Sequence, residues 1–131
     1  MSIEAIISTF QPRREFYTDE RCYIMETHNR LEDEDCSIVR ARVTPGVTTK
    51  LHTLRGIDER YVILQGEGIV EVGGGEPTAV RPIDVVVIPA GTSQRITNVG
   101  TGDLIFLCVC TPRFRVESYL DLENQVDNPR R

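Results

Sequence analysis

Proline and glycine divide residues 21–110 into short segments, and this pattern constrains the fold more than any other feature of the sequence. The segments between the breaks are rich in Val, Ile, Thr and Tyr, which favour β-strands. Many short strands joined by glycine-containing turns are typical of an all-β sandwich or barrel. The sequence therefore predicts an all-β fold with strands at residues 21–27, 37–43, 50–54, 60–64, 68–72, 78–80, 85–88, 93–98 and 104–110.

The two ends of the chain carry weaker signals. Residues 3–10 are compatible with a short helical turn or an extra strand, and residues 117–125 have a weak helical pattern. The acidic stretch 29–35 is interpreted as a solvated hairpin tip, with a cation site as the alternative. Residues 125–131 are expected to be frayed. The 131 residues are expected to form one domain, with a barrel core at about 37–112, N-terminal strands within 1–36 and a C-terminal tail at 113–131.

The charge balance limits the classes of partner. The formal net charge is −5, which argues against nucleic acid and against anionic membrane surfaces, since both attract basic proteins. No apolar run is long enough to span a bilayer, and the first residues lack the charge order of a secretory signal. A cytoplasmic location is therefore expected. On that basis the four cysteines are interpreted as free thiols: Cys22, Cys36, Cys108 and Cys110.

One histidine, one glutamate and one glutamine lie where strand geometry can bring them together. Side chains alternate between the two faces of a strand with a period of two. If the faces that carry His52, Glu59 and Gln94 all line a barrel interior, an imidazole, a carboxylate and an amide meet among apolar neighbours. A few polar groups in a mostly apolar cavity are typical of a ligand site. The predicted cavity lining also includes Lys50, Leu54, Tyr61, Ile63, Ile96, Asn98 and Cys108.

The spacing of these residues resembles the two sequence motifs of the cupin superfamily. The first motif has a glycine, two histidines one residue apart, a glutamate and a second glycine, and the matching residues in this chain are Gly46, His52, Leu54, Glu59 and Gly66. The second motif begins with a glycine and continues through Pro-x-Gly to a histidine and an asparagine. This chain keeps Asp84, Pro89, Gly91 and Asn98, but has Ile83 in place of the glycine and Gln94 in place of the histidine. The resemblance implies a cupin-type double-stranded β-helix, which is a jelly-roll barrel.

The resemblance also implies a divalent metal ion held by His52, Glu59 and Gln94. Leu54 and Gln94 occupy positions where the family has histidines, so the donor set would be harder and would bind metal more weakly. These donors do not distinguish zinc, nickel, manganese and iron. The implied function is binding of a small polar or anionic molecule by a metal-dependent enzyme, closer to the isomerases and epimerases of the family than to its dioxygenases.

The alternative is a metal-free barrel that binds or senses a small molecule without turnover. His52 and Glu59 would then form a buried hydrogen-bonded pair, which could still act as a base. With or without metal, Tyr61 is interpreted as a core residue and not as a catalytic one, and Lys50 is interpreted as facing solvent at the barrel mouth. Asn98 is interpreted as bonding to the backbone at the end of its strand.

Arg40 and Arg42 alternate with apolar residues on one predicted strand. We interpret them as facing water or a partner subunit. If they faced the cavity instead, the ligand would be an anion, because guanidinium groups match carboxylates and phosphates.

Several predicted strands are apolar on both faces, notably at residues 61–64, 85–88 and 104–109. One face can fill the barrel, but the other also needs cover. A homodimer is therefore expected, as related cupins commonly form dimers. The alternative is that a second sheet and the terminal segments supply the cover.

Overall fold

The computed structural model describes residues 3–124 and contains two antiparallel sheets. In the first sheet the strands lie in the order β1 (Phe16–Tyr17), β2 (Tyr23–His28), β3 (Ser37–Val43), β10 (Leu104–Thr111), β5 (Asp58–Gln65) and β8 (Val85–Ile88). In the second sheet the order is β11 (Tyr119–Asp121), β4 (His52–Leu54), β9 (Gln94–Asn98), β6 (Gly68–Val72) and β7 (Thr78–Val80). The all-β prediction is confirmed, and no helix among the described residues is long and apolar enough to cross a membrane.

The predicted strands correspond closely to the observed ones. All nine are present, and β3, β6, β7 and β8 have the predicted bounds. The C-terminal helical prediction is wrong, because Val116–Ser118 forms a short 3-10 turn and Tyr119–Asp121 forms β11. Its pattern was misleading because β11 pairs with β4 and buries Tyr119 and Asp121 on alternate positions. The predicted frayed segment 125–131 lies outside the described residues.

The main core lies between the two sheets. Along β3 and β5 every second residue is buried, as expected for strands with one face in the core. Fourteen buried residues from both sheets and from the approach to β2 form this cluster: Cys22, Ile24, Val39, Ala41, Val43, Tyr61, Ile63, Val70, Val80, Ile88, Ile96, Leu104, Phe106 and Cys108. A second apolar cluster adjoins β4 and β11 and contains Leu54, Ile57, Cys110, Phe114 and Tyr119.

The four cysteines are free thiols, as predicted. Cys108 and Cys110 are both buried on β10 but belong to different apolar clusters, Cys108 to the main core and Cys110 to the second one. The acidic stretch 29–35 forms the connection between β2 and β3. Its Asp33 carboxylate lies 2.9 Å from His28 Nε2, and Glu34 accepts hydrogen bonds from Arg113 and Arg115.

The N-terminal segment covers the outer side of the first sheet at β3. Residues 3–10 form neither a helix nor a strand, and a 3-10 turn follows at Pro12–Arg14. Glu15 then accepts hydrogen bonds from Arg42 at 2.7 Å and from Arg40 at 3.3 Å. Arg40 also lies over the Phe10 ring. Both arginines therefore point away from the interior. The N-terminal segment covers them, although water or a partner subunit was expected to lie against them.

Replacing Glu15 by glutamine is expected to destabilise the protein by about 2 kcal/mol at neutral pH, because charged hydrogen bonds to two half-buried arginines are weakened. The hydrogen bond from Arg42 lowers the pKa of Glu15 below its usual value of 4.5. A carboxylate whose pKa is lower in the folded protein than in the unfolded chain stabilises the fold at pH values above its unfolded-state pKa. This stabilisation is lost as the pH falls through the folded-state pKa. The variant should therefore lose less stability than the parent below about pH 4.5.

Urea unfolding at pH 7 and at pH 3 measures both effects. Glu71→Gln is the matched control, because Glu71 accepts a similar pair of hydrogen bonds from Arg95 on a more exposed surface. Such surface ion pairs stabilise the folded protein by about 0–1 kcal/mol, so Glu71→Gln should lose less stability than Glu15→Gln. Equal losses for the two variants would contradict a special role for Glu15.

Candidate functional site

A small cavity lies inside the barrel and combines polar and apolar walls. The centre of a water molecule placed in this cavity could occupy a volume of about 20 Å³. This is room for about one water molecule or one ion. The cavity is lined by Glu20, Cys22, Ile24, Ala41, Thr49, His52, Glu59, Tyr61, Phe106 and Cys108.

His52 is held in one orientation by its neighbours. It is 4% exposed and lies on β4, opposite Gln94 of β9 and Asp121 of β11. Its Nδ1 lies 2.7 Å from the Lys50 carbonyl oxygen. A carbonyl oxygen can only accept, so Nδ1 carries a proton and donates it. The Tyr119 ring stacks on the imidazole with a centroid distance of 4.9 Å. In the neutral ring, Nε2 therefore has a lone pair available to a ligand.

Glu59 has a buried oxygen without a hydrogen bond. The residue lies on β5 and is 2% exposed. Its Oε2 accepts a long hydrogen bond from the Cys110 thiol, at 3.7 Å. Its Oε1 has no hydrogen-bond partner among the described residues. An unsatisfied buried carboxylate oxygen is costly, so this atom indicates a missing water, proton or cation.

Gln94 and Tyr61 bond to each other. The Tyr61 hydroxyl donates a hydrogen bond to Gln94 Oε1. Burial, reinforced by the negative charge of Glu59, raises the pKa of Tyr61 well above its ordinary value, so the phenol stays protonated and acts as a donor. The amide oxygen that was expected to face a metal ion is therefore engaged by a phenol. Tyr61 also packs against Phe106, with ring centroids 4.6 Å apart.

Glu20 is a site residue that the sequence interpretation missed. It is 3% exposed and lines the cavity, and its Oε1 lies 3.8 Å from His52 Nε2. The carboxylate within ion-pair distance of the imidazole is therefore Glu20 and not Glu59. Glu20 precedes β2 and lies outside both cupin motifs, so motif spacing carried no signal for it. Thr49 was missed for a related reason, because it precedes the predicted strand at residues 50–54, where alternation of faces is not defined. Cys22 lies inside the predicted strand at residues 21–27, but it is also outside both motifs.

The other predicted lining residues have different surroundings. Lys50 pairs with Asp121 at 3.2 Å, and Leu54 packs in the second apolar cluster. Asn98 donates to the carbonyl oxygens of Val43 and Gly102 and accepts from the Gly100 amide, which is the structural role expected for it. Ile63 and Ile96 lie in the main core, whereas Tyr61 and Cys108 line the cavity.

The cavity supplies only part of a ligand set for a divalent cation. Within residues 3–124 no group of three His, Cys, Asp or Glu side chains is placed so that it could hold a metal ion. Two features nevertheless fit a cation, namely the unsatisfied Glu59 oxygen and the lone pair of His52 Nε2 in the same cavity. An anionic oxygen and an imidazole nitrogen are ordinary ligands of zinc, manganese and nickel.

A larger groove lies on the outside of the barrel. It encloses about 390 Å³ and is lined in part by Glu67, Arg81 and Asp84. The Asp84 carboxylate is used locally, because it accepts a hydrogen bond from the Arg81 amide. The interior cavity is the better candidate site, because it contains buried polar groups that converge.

Comparison with known proteins gives the family. The model of the Cupin domain family matches residues 39–110, which is more than half of the chain. The chain therefore belongs to the cupin family, and its two sheets form the double-stranded β-helix of that family. The family assignment made from the motif spacing is confirmed.

Two curated proteins and one solved structure illustrate the similarity. The chain is 37% identical over 70 residues to an oxalate-binding protein of Thermotoga maritima, a match that covers 53% of this chain and 57% of the relative. It is 33% identical over 87 residues to an uncharacterized protein of Methanocaldococcus jannaschii, covering 66% and 69% of the two chains. The structure of TT1209 from Thermus thermophilus superimposes with a TM-score of 0.68 at 25% identity, covering 83% and 100%.

Proposed function

We propose that this cupin binds a divalent cation in its interior cavity and, through that cation, a small carboxylate such as oxalate. The observation that carries the proposal is the unsatisfied oxygen of buried Glu59, which shares a one-ion cavity with the lone pair of His52 Nε2. A bound cation would satisfy the Glu59 oxygen and would supply positive charge to hold an anion. Glu59 and His52 are its proposed ligands.

The carboxylate class rests on one relative. The Thermotoga maritima protein that is 37% identical over 70 residues is an oxalate-binding protein. The match covers 57% of the length of that relative, so we propose oxalate as the first probe of the site and not as its established ligand. A small dianion is also the chemical complement of a divalent ion whose protein ligands leave coordination positions open.

Calorimetric titration tests the proposal. Chelator-treated protein is titrated with Mn²⁺, Ni²⁺ and Zn²⁺, and the loaded protein is then titrated with oxalate. We expect one cation per chain and oxalate binding only after loading. Failure of all three ions to bind would overturn the cation part, and equal oxalate binding with and without metal would overturn the coupling. Nuclear magnetic resonance of the mixture over several hours shows whether oxalate is merely bound or is consumed.

A metal-free binding barrel is the second candidate. Gln94 Oε1 is engaged by the Tyr61 hydroxyl, and Leu54 packs among apolar side chains, so two positions that hold histidines in the family supply no free donor. In this case ligand binding would be unaffected by chelators, and the Glu59 oxygen would be satisfied by water or by a proton. The oxalate titration without metal distinguishes the two candidates.

We also propose a homodimer formed through the outer side of the first sheet. Val85 and Val87 lie on the edge strand β8 and are each 59% exposed, and Leu64 of neighbouring β5 is 44% exposed. A contiguous exposed apolar patch beside a sheet edge marks a surface on which a partner can dock. A cytoplasmic location remains the proposal that best suits four free thiols.

Light scattering at micromolar concentration tests the assembly. We expect a mass near twice the chain mass of 14.8 kDa. Val87→Glu places a charge in the proposed interface and should yield the monomer mass. Val99→Glu is the matched control, because Val99 is 50% exposed in the turn after β9, a strand of the second sheet, and belongs to neither β5 nor β8. A wild-type protein with the monomer mass would contradict the proposal.

A further inference from the structure

We infer that Ser8, His28 and Asp33 form a nucleophilic site that hydrolyses small carboxylic esters with an anionic substituent. Ser8 lies in the N-terminal segment, His28 ends β2, and Asp33 lies in the connection that follows this strand. The interior cavity has different lining residues, so the inference does not depend on the proposed cation binding.

The first support is a continuous chain of hydrogen bonds through the His28 ring. Asp33 Oδ2 lies 2.9 Å from His28 Nε2, and Ser8 Oγ lies 2.7 Å from His28 Nδ1. A carboxylate only accepts hydrogen bonds, so Nε2 carries the proton of the neutral ring and Nδ1 carries the lone pair. The Ser8 hydroxyl therefore donates to Nδ1. A hydroxyl bonded to a base that is oriented by a third group is the arrangement that activates a serine.

The second support is the shielding of this chain from solvent. The side chains of His28 and Asp33 are only 16% and 17% exposed, and Ser8 is half-buried. The Asp33 amide donates to the Arg30 carbonyl oxygen at 3.1 Å, which holds the connection after β2 in place. Reduced contact with water strengthens the hydrogen bonds within the chain. The base is therefore oriented before any ligand arrives.

The third support is a groove beside Ser8. It encloses about 300 Å³, and its walls include Ser8, Arg14, Glu26 and Arg30. Glu26 accepts a hydrogen bond from Asn29 at 3.0 Å, and Arg30 pairs with Glu32 at 3.3 Å. We therefore assign Arg14 to the ligand. Its guanidinium matches a carboxylate, which suits an ester that carries a negative charge.

The reaction follows from these positions. Ser8 Oγ attacks the carbonyl carbon of the ester while its proton passes to His28 Nδ1. The bond between the carbonyl carbon and the alcohol oxygen breaks, and His28 returns the proton to the departing alcohol. Water then attacks the acyl group on Ser8 with His28 again as the base, which releases the carboxylic acid and restores the Ser8 hydroxyl.

Mass spectrometry after treatment with diisopropyl fluorophosphate tests the nucleophile, because this reagent forms a covalent bond with activated serines. We expect one adduct, on Ser8, that is absent in Ser8→Ala and forms about 100-fold more slowly in His28→Gln. Ser93→Ala is the matched control, because Ser93 is also half-buried in a loop but lies before β9, outside this groove. It should react as the wild type does. A wild type without an adduct on Ser8, or with equal adducts on other serines, would overturn the inference.

Two nitrophenyl esters test the substrate class. The wild type should hydrolyse the mono-4-nitrophenyl ester of succinate about 10-fold faster than 4-nitrophenyl acetate, the ratio expected from one charged hydrogen bond. Arg14→Gln should remove this preference. Arg13→Gln is the control, because it removes the same charge from the same exposed turn and should keep the preference. Equal ratios in the two variants would overturn the role of Arg14.

A purely structural role predicts a different set of results. The hydrogen bonds would then only hold the N-terminal segment, and the wild type would release no more nitrophenolate than Ser8→Ala, which would overturn the inference. Asp33 is a positioning residue, so Asp33→Asn should slow the reaction with diisopropyl fluorophosphate. ¹⁵N spectra should also show the His28 proton moving from Nε2 towards Nδ1. Slower labelling without that movement would overturn the role of Asp33.

Discussion

Gly66→Ala is expected to destabilise the protein by about 3–4 kcal/mol, which for a chain of this size lowers the melting temperature by about 10 °C. Gly66 lies in the short turn between β5 and β6 with a φ of +88°, where a side chain is strained. A Cβ atom at this position would stand 2.7 Å from the Asp103 carbonyl oxygen and 3.0 Å from Leu104 Cα. Both atoms belong to the backbone at the start of β10, so a rotamer change cannot relieve the contact.

Gly74→Ala separates the clash from the backbone strain. Gly74 has a similar φ of +72°, and no heavy atom lies within 4 Å of the added Cβ. It should therefore cost only the strain of a left-handed conformation, about 1–2 kcal/mol. Thermal and urea unfolding of both variants measure the difference. Similar losses in the two variants would show that the turn moves away from β10 easily.

The second large effect is expected at Glu59, where two measurements should change in opposite directions. Glu59→Gln removes a proposed anionic ligand and should weaken Mn²⁺ and Zn²⁺ binding by about 100-fold or more. In the absence of metal, the same variant should be as stable as the parent or more stable, because an unsatisfied buried charge is removed. Melting curves with and without metal, together with calorimetry, measure both effects.

Glu76→Gln is the control for Glu59→Gln. Glu76 is exposed in the loop between β6 and β7, so the same chemical change there should alter neither metal binding nor the melting temperature. If Glu59→Gln destabilises the metal-free protein and leaves metal binding intact, Glu59 serves the fold and the proposed site is wrong.

The strands could be predicted because each one depends on local information. Glycines with positive φ, such as Gly46 and Gly91, end strands, and alternating burial along β3 follows directly from its sequence. The inward direction of Glu59 agrees with the alternation along β5, whereas all three residues of β4 are buried, so alternation alone does not give the direction of His52. These predictions rely on turn chemistry and on the period of two, both of which operate over a few residues.

The composition of the cavity could not be predicted in the same way. Glu20 reaches His52 because a turn near the N-terminus docks on the segment before β4, a contact between residues 32 positions apart that has no spacing rule. Gln94 was expected to face the cavity, but strand parity cannot show that the Tyr61 hydroxyl would engage its oxygen. The C-terminal strand was missed because three residues are too short for a periodic pattern, and its pairing with β4 decides its conformation.

The size of the cavity has a consequence for the kinetics of binding. With about 20 Å³ available to the centre of a water molecule, a dicarboxylate can enter only after part of the wall moves. Association would then be slower than is usual for an open site, and the observed rate would reach a plateau at high ligand concentration, set by the rate of opening. The same opening step would govern release. For the proposed ligand, a cavity this small would mean slow exchange at any given affinity, which suits retention of a ligand better than rapid turnover.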